Sequence, residues 1–432
     1  MHRFVYMFGL ILAGEAVFAL PFHIARFFRP AVLDVFQLTN TELGAAQGVY
    51  GILAMLAYFP GGPLADRFPA RKLLAFSLWS TAAGGLYMAT IPGYAGALLL
   101  WGFFGVTTIL FFWAALIRAT RDWGGSDEQG RAYGLLDGGR GLLAAALASV
   151  AVAFFGLVFP EGTGAVTFEE RKAALVTVIY GYTLVTALAG VFVWFAIRDG
   201  RPPDEPDLER WRPGEEGLWH HIGRVLAMPA VWLQALIVVC AYVAYKGFDN
   251  YSLYAVEVYG MSDVDAASIA TIGAWMRPVA AVGAGFLGDR YGVARMTVGC
   301  FVLLLACYLL LGLGTPAAGA TWLLLGNVLA TSAAMFGLRA LYFALFEEAK
   351  VPDALTGTAV GLVSVIGFTP DIFVGVIGGM LLDASPGPAG HRHYFLFLAA
   401  FAAAGLAASY ALYRRLYPRR PGPGLESDAG GA

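Results

Sequence analysis

The sequence predicts an all-α membrane protein of twelve transmembrane helices, arranged as two pseudo-symmetric six-helix bundles. Three observations carry this. Of 432 residues, 59% are apolar and only 13% charged, against about 45–50% and about 25% in an ordinary soluble chain. Apolar stretches of about 20 residues, each enough to cross a bilayer of about 30 Å as a helix, recur along the whole chain. Two short motifs also repeat at nearly one offset, which marks a duplicated half.

The spans fall roughly at 4–25, 43–61, 73–91, 94–117, 132–158, 173–197, 228–256, 265–284, 296–313, 320–346, 355–382 and 393–413. The runs are continuous rather than alternating, so helices fit and a barrel does not. Short connections make neighbours antiparallel. The longest connection begins Arg198-Asp-Gly-Arg-Pro-Pro-Asp-Glu-Pro-Asp and splits the spans six and six. The expected organisation is a bundle over 1–197, a cytoplasmic central loop over 198–227, a second bundle over 228–414 and a disordered tail over 415–432.

Orientation follows from lysine and arginine. With the N-terminus inside, 19 basic residues fall in inside segments and five in outside segments, and Arg140, Lys246, Arg277 and Arg339 lie within spans. Both termini are therefore expected in the cytoplasm, in a cell (inner) membrane. Net charge is −2, so no global field favours nucleic acid. Cys240, Cys300 and Cys307 sit in apolar stretches without metal-ligand or disulfide spacing. The first apolar run leads straight into the body of the protein, with no separate cleavable signal.

The repeat pairs Gly62-Pro-Leu-Ala-Asp-Arg with Gly285-Phe-Leu-Gly-Asp-Arg, 223 residues on. Gly130-Arg-Ala-Tyr-Gly-Leu pairs with Gly357-Thr-Ala-Val-Gly-Leu, 227 residues on. Duplicated halves are a common transporter architecture, with the substrate site between them near mid-membrane.

The stretch Gly62-Pro-Leu-Ala-Asp-Arg-Phe-Pro-Ala-Arg-Lys resembles the signature loop of the major facilitator superfamily, Gly-x-Leu-x-Asp-Arg-x-Gly-Arg-Lys, and lies between the second and third spans as that loop does. Pro69-Ala70 departs from it where glycine is usual. The second copy, Gly285 to Arg295, keeps Asp289, Arg290 and Gly292. The resemblance implies the major facilitator fold and a gating role for Asp66, Arg67, Arg71, Asp289 and Arg290. Asp66 and Arg67 could bond to helix ends or to each other and lock the inner side; the plainer reading is a positive-inside turn. Trp113-Ala-Ala-Leu with the following Asp127-Glu-Gln-Gly-Arg-Ala is similar to the helix 4–5 region of organic-anion branches. Tyr242-Val-Ala-Tyr-Lys-Gly-Phe-Asp is similar to helix 7 of the organophosphate:phosphate antiporters, whose phosphate-binding arginine corresponds to Lys246. Their helix 1 arginine makes Arg26 the candidate match.

An ionisable group inside a span is costly, so a functional or paired role is its default reading. Glu15 lies near the middle of helix 1, where burial disfavours its charged form and suits proton coupling; a structural carboxyl is the alternative. His23 and Arg26 lie one turn apart, facing a cavity or reaching to the headgroups. Asp137 and Arg140 are spaced i, i+3, which favours a local pair over a place in the cavity. Lys246 and Asp249 repeat that spacing, either as a pair or with Lys246 on an anionic substrate. Arg277 precedes Pro278, where a kink is expected. Arg339 could bind substrate or pair with Glu347 and Glu348. Asp371 needs a cation, which Lys246 or Arg277 could supply. Phe18, Phe22, Trp113, Tyr242, Tyr245 and Tyr251 could line a cavity or simply pack.

No nucleotide-binding loop, metalloprotease motif or nucleophile elbow occurs. The expectation is a secondary active transporter that needs no cofactor and is monomeric. Arg26, Lys246, Arg277, Arg339 and Arg140 are its candidate substrate ligands, and Glu15, Asp371 and Asp137 its candidate proton carriers. Its partners would be a small polar solute, more readily an organic anion, a coupling proton or counter-anion, and the bilayer. Efflux of amphipathic compounds by proton antiport is the alternative. A membrane-embedded enzyme would need a cluster that only His220-His221 hints at. A sensor would need an output domain for which 198–227 leaves little room.

Overall fold

The computed structural model of the chain describes residues 2–125, 128–158, 167–197, 223–314, 320–342, 344–348 and 353–418. Most of the expected central loop, with His220 and His221, and most of the expected tail lie outside the described residues. Among the described residues every regular element is helical. Eleven helices are long and apolar enough to cross a membrane. We number the twelve long helices in chain order. In the first half they are α1 (Arg3–Phe27), α2 (Asn40–Arg67), α3 (Ala70–Met88), α4 (Tyr94–Gly124), α5 (Gln129–Val158) and α6 (Phe168–Ala196). In the second they are α7 (Pro229–Tyr259), α8 (Asp263–Tyr291), α9 (Val293–Leu313), α10 (Thr321–Leu341), α11 (Asp353–Gly367 and Pro370–Ala384) and α12 (Pro388–Leu416). The twelfth spanning position is filled by α3, whose 19 residues open with Ala-Arg-Lys.

Local chemistry sets the ends. Thr39 and Glu42 form a reciprocal capping box before α2, and Thr167 and Glu170 another before α6, satisfying backbone donors that helix starts leave open. Ser262 caps α8 through the Asp265 N–H. Several ends differ from expectation. A short helix, Arg29–Phe36, fills the connection between α1 and α2. Helix α2 continues to Arg67 through Pro60 and Pro63, and α8 runs through Pro278 without interruption. Helix α12 reaches Leu416, so the first residues of the expected tail are helical.

One apolar cluster is built from buried residues between Val225 and Leu412. Two others draw on α1 to α6, one of them joined by Ala267, Ala270 and Ala274 of α8. The halves meet closely where α2 crosses α11. A Cβ added at Gly379 would lie 2.4 Å from the Asn40 carbonyl oxygen, so the two backbones are in contact there. Asp383 of α11 accepts from the backbone N–H groups of Asn40 and Thr41, at 3.1 and 2.7 Å, and from both of their side chains. One half thus caps a helix of the other. Nearby, Arg171 of α6 joins Asp34 at 2.7 Å and Asp263 of α8 at 3.0 Å.

These contacts lie on the face away from the chain termini, here termed distal. Towards the terminal face, α2 and α8 become exposed, with Phe59 at 70% and Phe286 at 75%. Polar contacts described there stay within one half: Arg3 to Glu128, Arg118 to the Ala65 carbonyl, and Glu348 to the Ala294 N–H and the Tyr417 hydroxyl. The halves are therefore joined distally and diverge towards the termini.

Candidate functional site

Four helices change geometry at one depth. Helix α1 widens into a π turn at Ala19–His23, around Pro21, which has no N–H to give. The Pro21 carbonyl takes the Trp101 indole N–H at 3.2 Å. Helix α4 widens at Ile109–Trp113, α7 tightens to a 3-10 turn at Phe248–Asn250, and α11 breaks between Gly367 and Pro370. The sequence predicts continuous helices at all four places. Pro21 and Pro370 are the available signals to the contrary, whereas the turn in α4 contains no proline.

At this depth the intramembrane charges converge into two networks. In the first, Glu15 of α1 holds His23 Nε2 at 3.1 Å, Arg140 of α5 at 3.6 Å and Arg277 of α8 at 3.7 Å. Arg277 also reaches Asp137 of α5 at 3.1 Å, and Arg140 donates to the Gly14 carbonyl at 2.9 Å. The expected local pair of Asp137 and Arg140 is therefore absent. Each residue instead joins another helix, because the arginine stems fit over glycines. A Cβ at Gly14 would lie 3.0 Å from Arg140 Cδ, and one at Gly141 3.2 Å from Arg277 Cδ.

In the second network, Arg26 of α1 reaches across to α7, with Nε 2.5 Å from Asp249 and Nη1 donating to the Tyr245 hydroxyl at 3.1 Å. Lys246 lies 3.3 Å from Asp249 and 3.4 Å from Asp371. Tyr242 donates to the other Asp371 oxygen at 2.9 Å. Lys246, rather than Arg277, is thus the cation that Asp371 needs. Each half lends one arginine to the carboxylates of the other. Arg26 and Asp249 are also separated by 223 residues, the offset of the internal repeat, so this bond joins equivalent positions of the two halves.

Arg339 of α10 stands apart. Its guanidinium lies over the Tyr245 ring, 4.2 Å from the centroid, and 5.8 Å from that of Tyr242. Its Nη1 is shielded from solvent and has no hydrogen-bond partner. No carboxylate of the described residues pairs with it. The expected bond to Glu348 is absent, since that carboxylate is held by Ala294 and Tyr417, and the Glu347 side chain lies outside the described residues. Aromatic rings enclose the other cations too: Arg140 lies over Phe18 and Trp113, and Lys246 over Phe22. Tyr251 instead packs in the core, donating to Asn327 and Thr331.

The signature-loop residues lie at the terminal face, away from both networks. Asp66, Arg67, Asp289 and Arg290 are exposed. Asp66 and Arg67 have no polar partner among the described residues, so the expected lock between them is not formed in this conformation. Arg71 stacks over Trp194 and Arg290 over Tyr291. The distal contacts of Asp383, Arg171 and the α2–α11 glycines are not singled out by the sequence. Their readable signal is the four-residue glycine spacing of Gly44 and Gly48 and of Gly375 and Gly379.

The family model of the Major Facilitator Superfamily matches residues 4–373. The chain is 28% identical to inner membrane protein YihN of Escherichia coli (strain K12) over 420 residues, covering 95% of each chain. It is 28% identical to inner membrane protein YqcE of the same organism, covering 90% of each. Among solved structures, a mutant form of the nucleoside transporter NupG matches with a TM-score of 0.72 at 13% identity, over 96% of this chain and 100% of that one. A bacterial homologue of the human lysosomal transporter Spinster matches with a TM-score of 0.72 at 15% identity, over 98% and 99%. By this match over most of its length and by its two six-helix bundles, the chain belongs to the major facilitator superfamily, and it is a multi-span membrane protein that acts as a secondary transporter, not an enzyme.

Proposed function

We propose that the protein carries a small polar organic anion through the site between its halves. The observation that supports this most directly is Arg339, a guanidinium with a sheltered N–H and no carboxylate partner among the described residues. A fork of donors whose one face is covered by Tyr245 presents its edge to a planar or tetrahedral oxyanion. Lys246, Arg26, Arg140 and Arg277 surround the same depth and add to the positive field, although each is already engaged by a carboxylate.

Transport would proceed by rocking of the two halves, so that the site faces each side in turn. The present form is closed distally. With both termini in the cytoplasm, it would be open inward. Coupling would come from proton symport or from exchange against a second anion, with Glu15, Asp371 and Asp137 as candidate proton carriers. Asp66, Arg67, Arg71, Asp289 and Arg290 would form the terminal-face gate in the opposite state. The monomer suffices, since both networks lie within one chain. Efflux of amphipathic compounds is the second reading, favoured by the aromatic residues Phe18, Phe22, Trp113 and Tyr242 beside the charges.

The test is the melting temperature of the purified protein against phosphates, sugar phosphates, carboxylates, neutral sugars, nucleosides and lipophilic cations. A ligand of the folded state raises apparent stability. A shift with anions that is lost in Arg339→Gln supports the reading. Shifts confined to neutral or lipophilic compounds would overturn the anion assignment and leave the transporter standing.

A further inference from the structure

We infer that Arg295 of α9 and Arg414 of α12 form a headgroup site for an anionic phospholipid at the terminal face, on the bilayer side of the second half. The inference does not depend on what the central site carries.

Helix α12 ends in a stripe of Tyr410, Tyr413, Arg414 and Tyr417. Their spacing of three, four and seven puts them on one face. The Tyr413 and Tyr417 rings lie 5.2 Å apart, and the Arg295 guanidinium lies over both, 5.7 and 5.6 Å from their centroids. Arg414 donates to the Tyr410 hydroxyl at 3.4 Å. Two arginines from two helices thus meet on one tyrosine ladder. Both are exposed, and neither has a carboxylate within ion-pair distance among the described residues. Glu348 borders them but is engaged elsewhere, accepting from the Ala294 N–H at 2.8 Å and the Tyr417 hydroxyl at 2.5 Å. Asp289 lies on α8, across the Gly292 turn. Arg295 stands in the first turn of α9, whose own end is partly positive, so the helix does not relieve its charge. Stacking covers the face of a guanidinium and leaves its N–H edge for an oxyanion.

The surface beside the arginines identifies the anion. Arg295 heads a seven-residue stripe on α9 through Val302 and Leu309, and Tyr410 heads one on α12 through Ala403 and Leu396; all four following residues are exposed. The two helices pack together, since a Cβ at Gly405 would lie 2.3 Å from Phe301 Cε1. Two apolar stripes therefore run along one bilayer-facing seam, away from the two arginines. A phospholipid matches both parts, with acyl chains along the seam and its phosphodiester on Arg295 and Arg414. A soluble anion would use the arginines alone. Basic pockets between spanning helices hold anionic headgroups in this way, at the depth where tyrosines gather.

The test uses the purified full chain, stripped of lipid in a neutral detergent. The probes are dioleoylphosphatidylglycerol, dioleoylphosphatidylcholine and inorganic phosphate. The two lipids share their chains and a phosphodiester and differ by one net charge. Apparent affinity is read as a lipid-dependent thermal shift, and retained lipid by native mass spectrometry. The glycerol lipid is expected to bind more tightly than the choline lipid. Arg295→Gln and Arg414→Gln should each weaken it by about fivefold. Arg67→Gln, which removes an exposed charge from the terminal face of the other half, should leave it unchanged. Arg295→Lys keeps the charge and should retain most of the affinity, which covers the case in which the glutamine variant does not fold. Inorganic phosphate should not displace the lipid. Equal affinity for the two lipids, or an equal loss in Arg67→Gln, would overturn the site. Displacement by phosphate that requires Arg295 would overturn the lipid assignment in favour of a soluble anion.

Discussion

The contact between α2 and α11 makes a sharp demand on one residue. A Cβ added at Gly44 would lie 2.1 Å from the Gly375 carbonyl oxygen, 2.3 Å from its carbon and 2.8 Å from the Val376 nitrogen. All three are backbone atoms, so no rotamer change relieves the overlap. In Gly44→Ala the helices must separate by about 1 Å at this point, an overpacking that costs about 1–3 kcal/mol. That cost falls on the distally closed form alone, because the contact exists only when the halves meet there. The equilibrium should therefore shift towards distal opening by about 5–150-fold. Pulsed electron spin resonance between labels at Gln37 and Pro386, both exposed on the distal side, reads this directly. The longer-distance population should grow in Gly44→Ala. It should stay unchanged in Gly181→Ala, where an added Cβ meets nothing within 4 Å. A folded Gly44→Ala protein with the wild-type distance distribution would refute the idea that this contact holds the halves closed.

Other substitutions probe the remaining bonds. Arg26→Ala leaves Asp249 with Lys246 alone in a buried site and should cost about 3–5 kcal/mol, read as a lower melting temperature; Arg26→Ala with Asp249→Ala should recover part of the loss. Asp383→Ala removes the cap that α11 gives to α2 and should cost about 1–2 kcal/mol, with a distal opening in the same label experiment. Arg171→Ala leaves Asp34 and the buried Asp263 without their shared cation and should lower the melting temperature, by more than loss of an exposed ion pair would. Orientation is read by protease access to a reporter fused after Ala432 in spheroplasts: protection is expected, and cleavage from outside would reverse the assignment of both faces.

Much of the site was legible in the sequence because burying a charge in a bilayer is so costly that each such residue announces a partner. Glu15, Arg26, Asp137, Arg140, Lys246, Arg277, Arg339 and Asp371 could each be singled out for that reason, and they lie at one depth. Their pairing was not legible. Asp137 and Arg140 have helical spacing for a bond, yet Arg277 and Glu15 offer better partners from other helices. Helix neighbours in space are set by packing, which a single sequence does not display. The repeat offset did contain the Arg26–Asp249 bond, since it maps one residue onto the other. The π turn in α4 had no such marker. The α2–α11 contact was readable in part, as glycines at four-residue spacing on two helices, but spacing alone does not say which pair of helices meets.

The central claim is that Arg339 marks an anion site on the transport path. Uptake into proteoliposomes tests it most directly, using the anion that gives the largest thermal shift and comparing wild type, Arg339→Gln and Arg339→Lys at matched incorporation. Saturable anion uptake is expected in the wild type, with loss in Arg339→Gln and partial recovery in Arg339→Lys, which keeps the charge without the planar fork. Unchanged uptake in Arg339→Gln, or uptake only of neutral solutes, would contradict it.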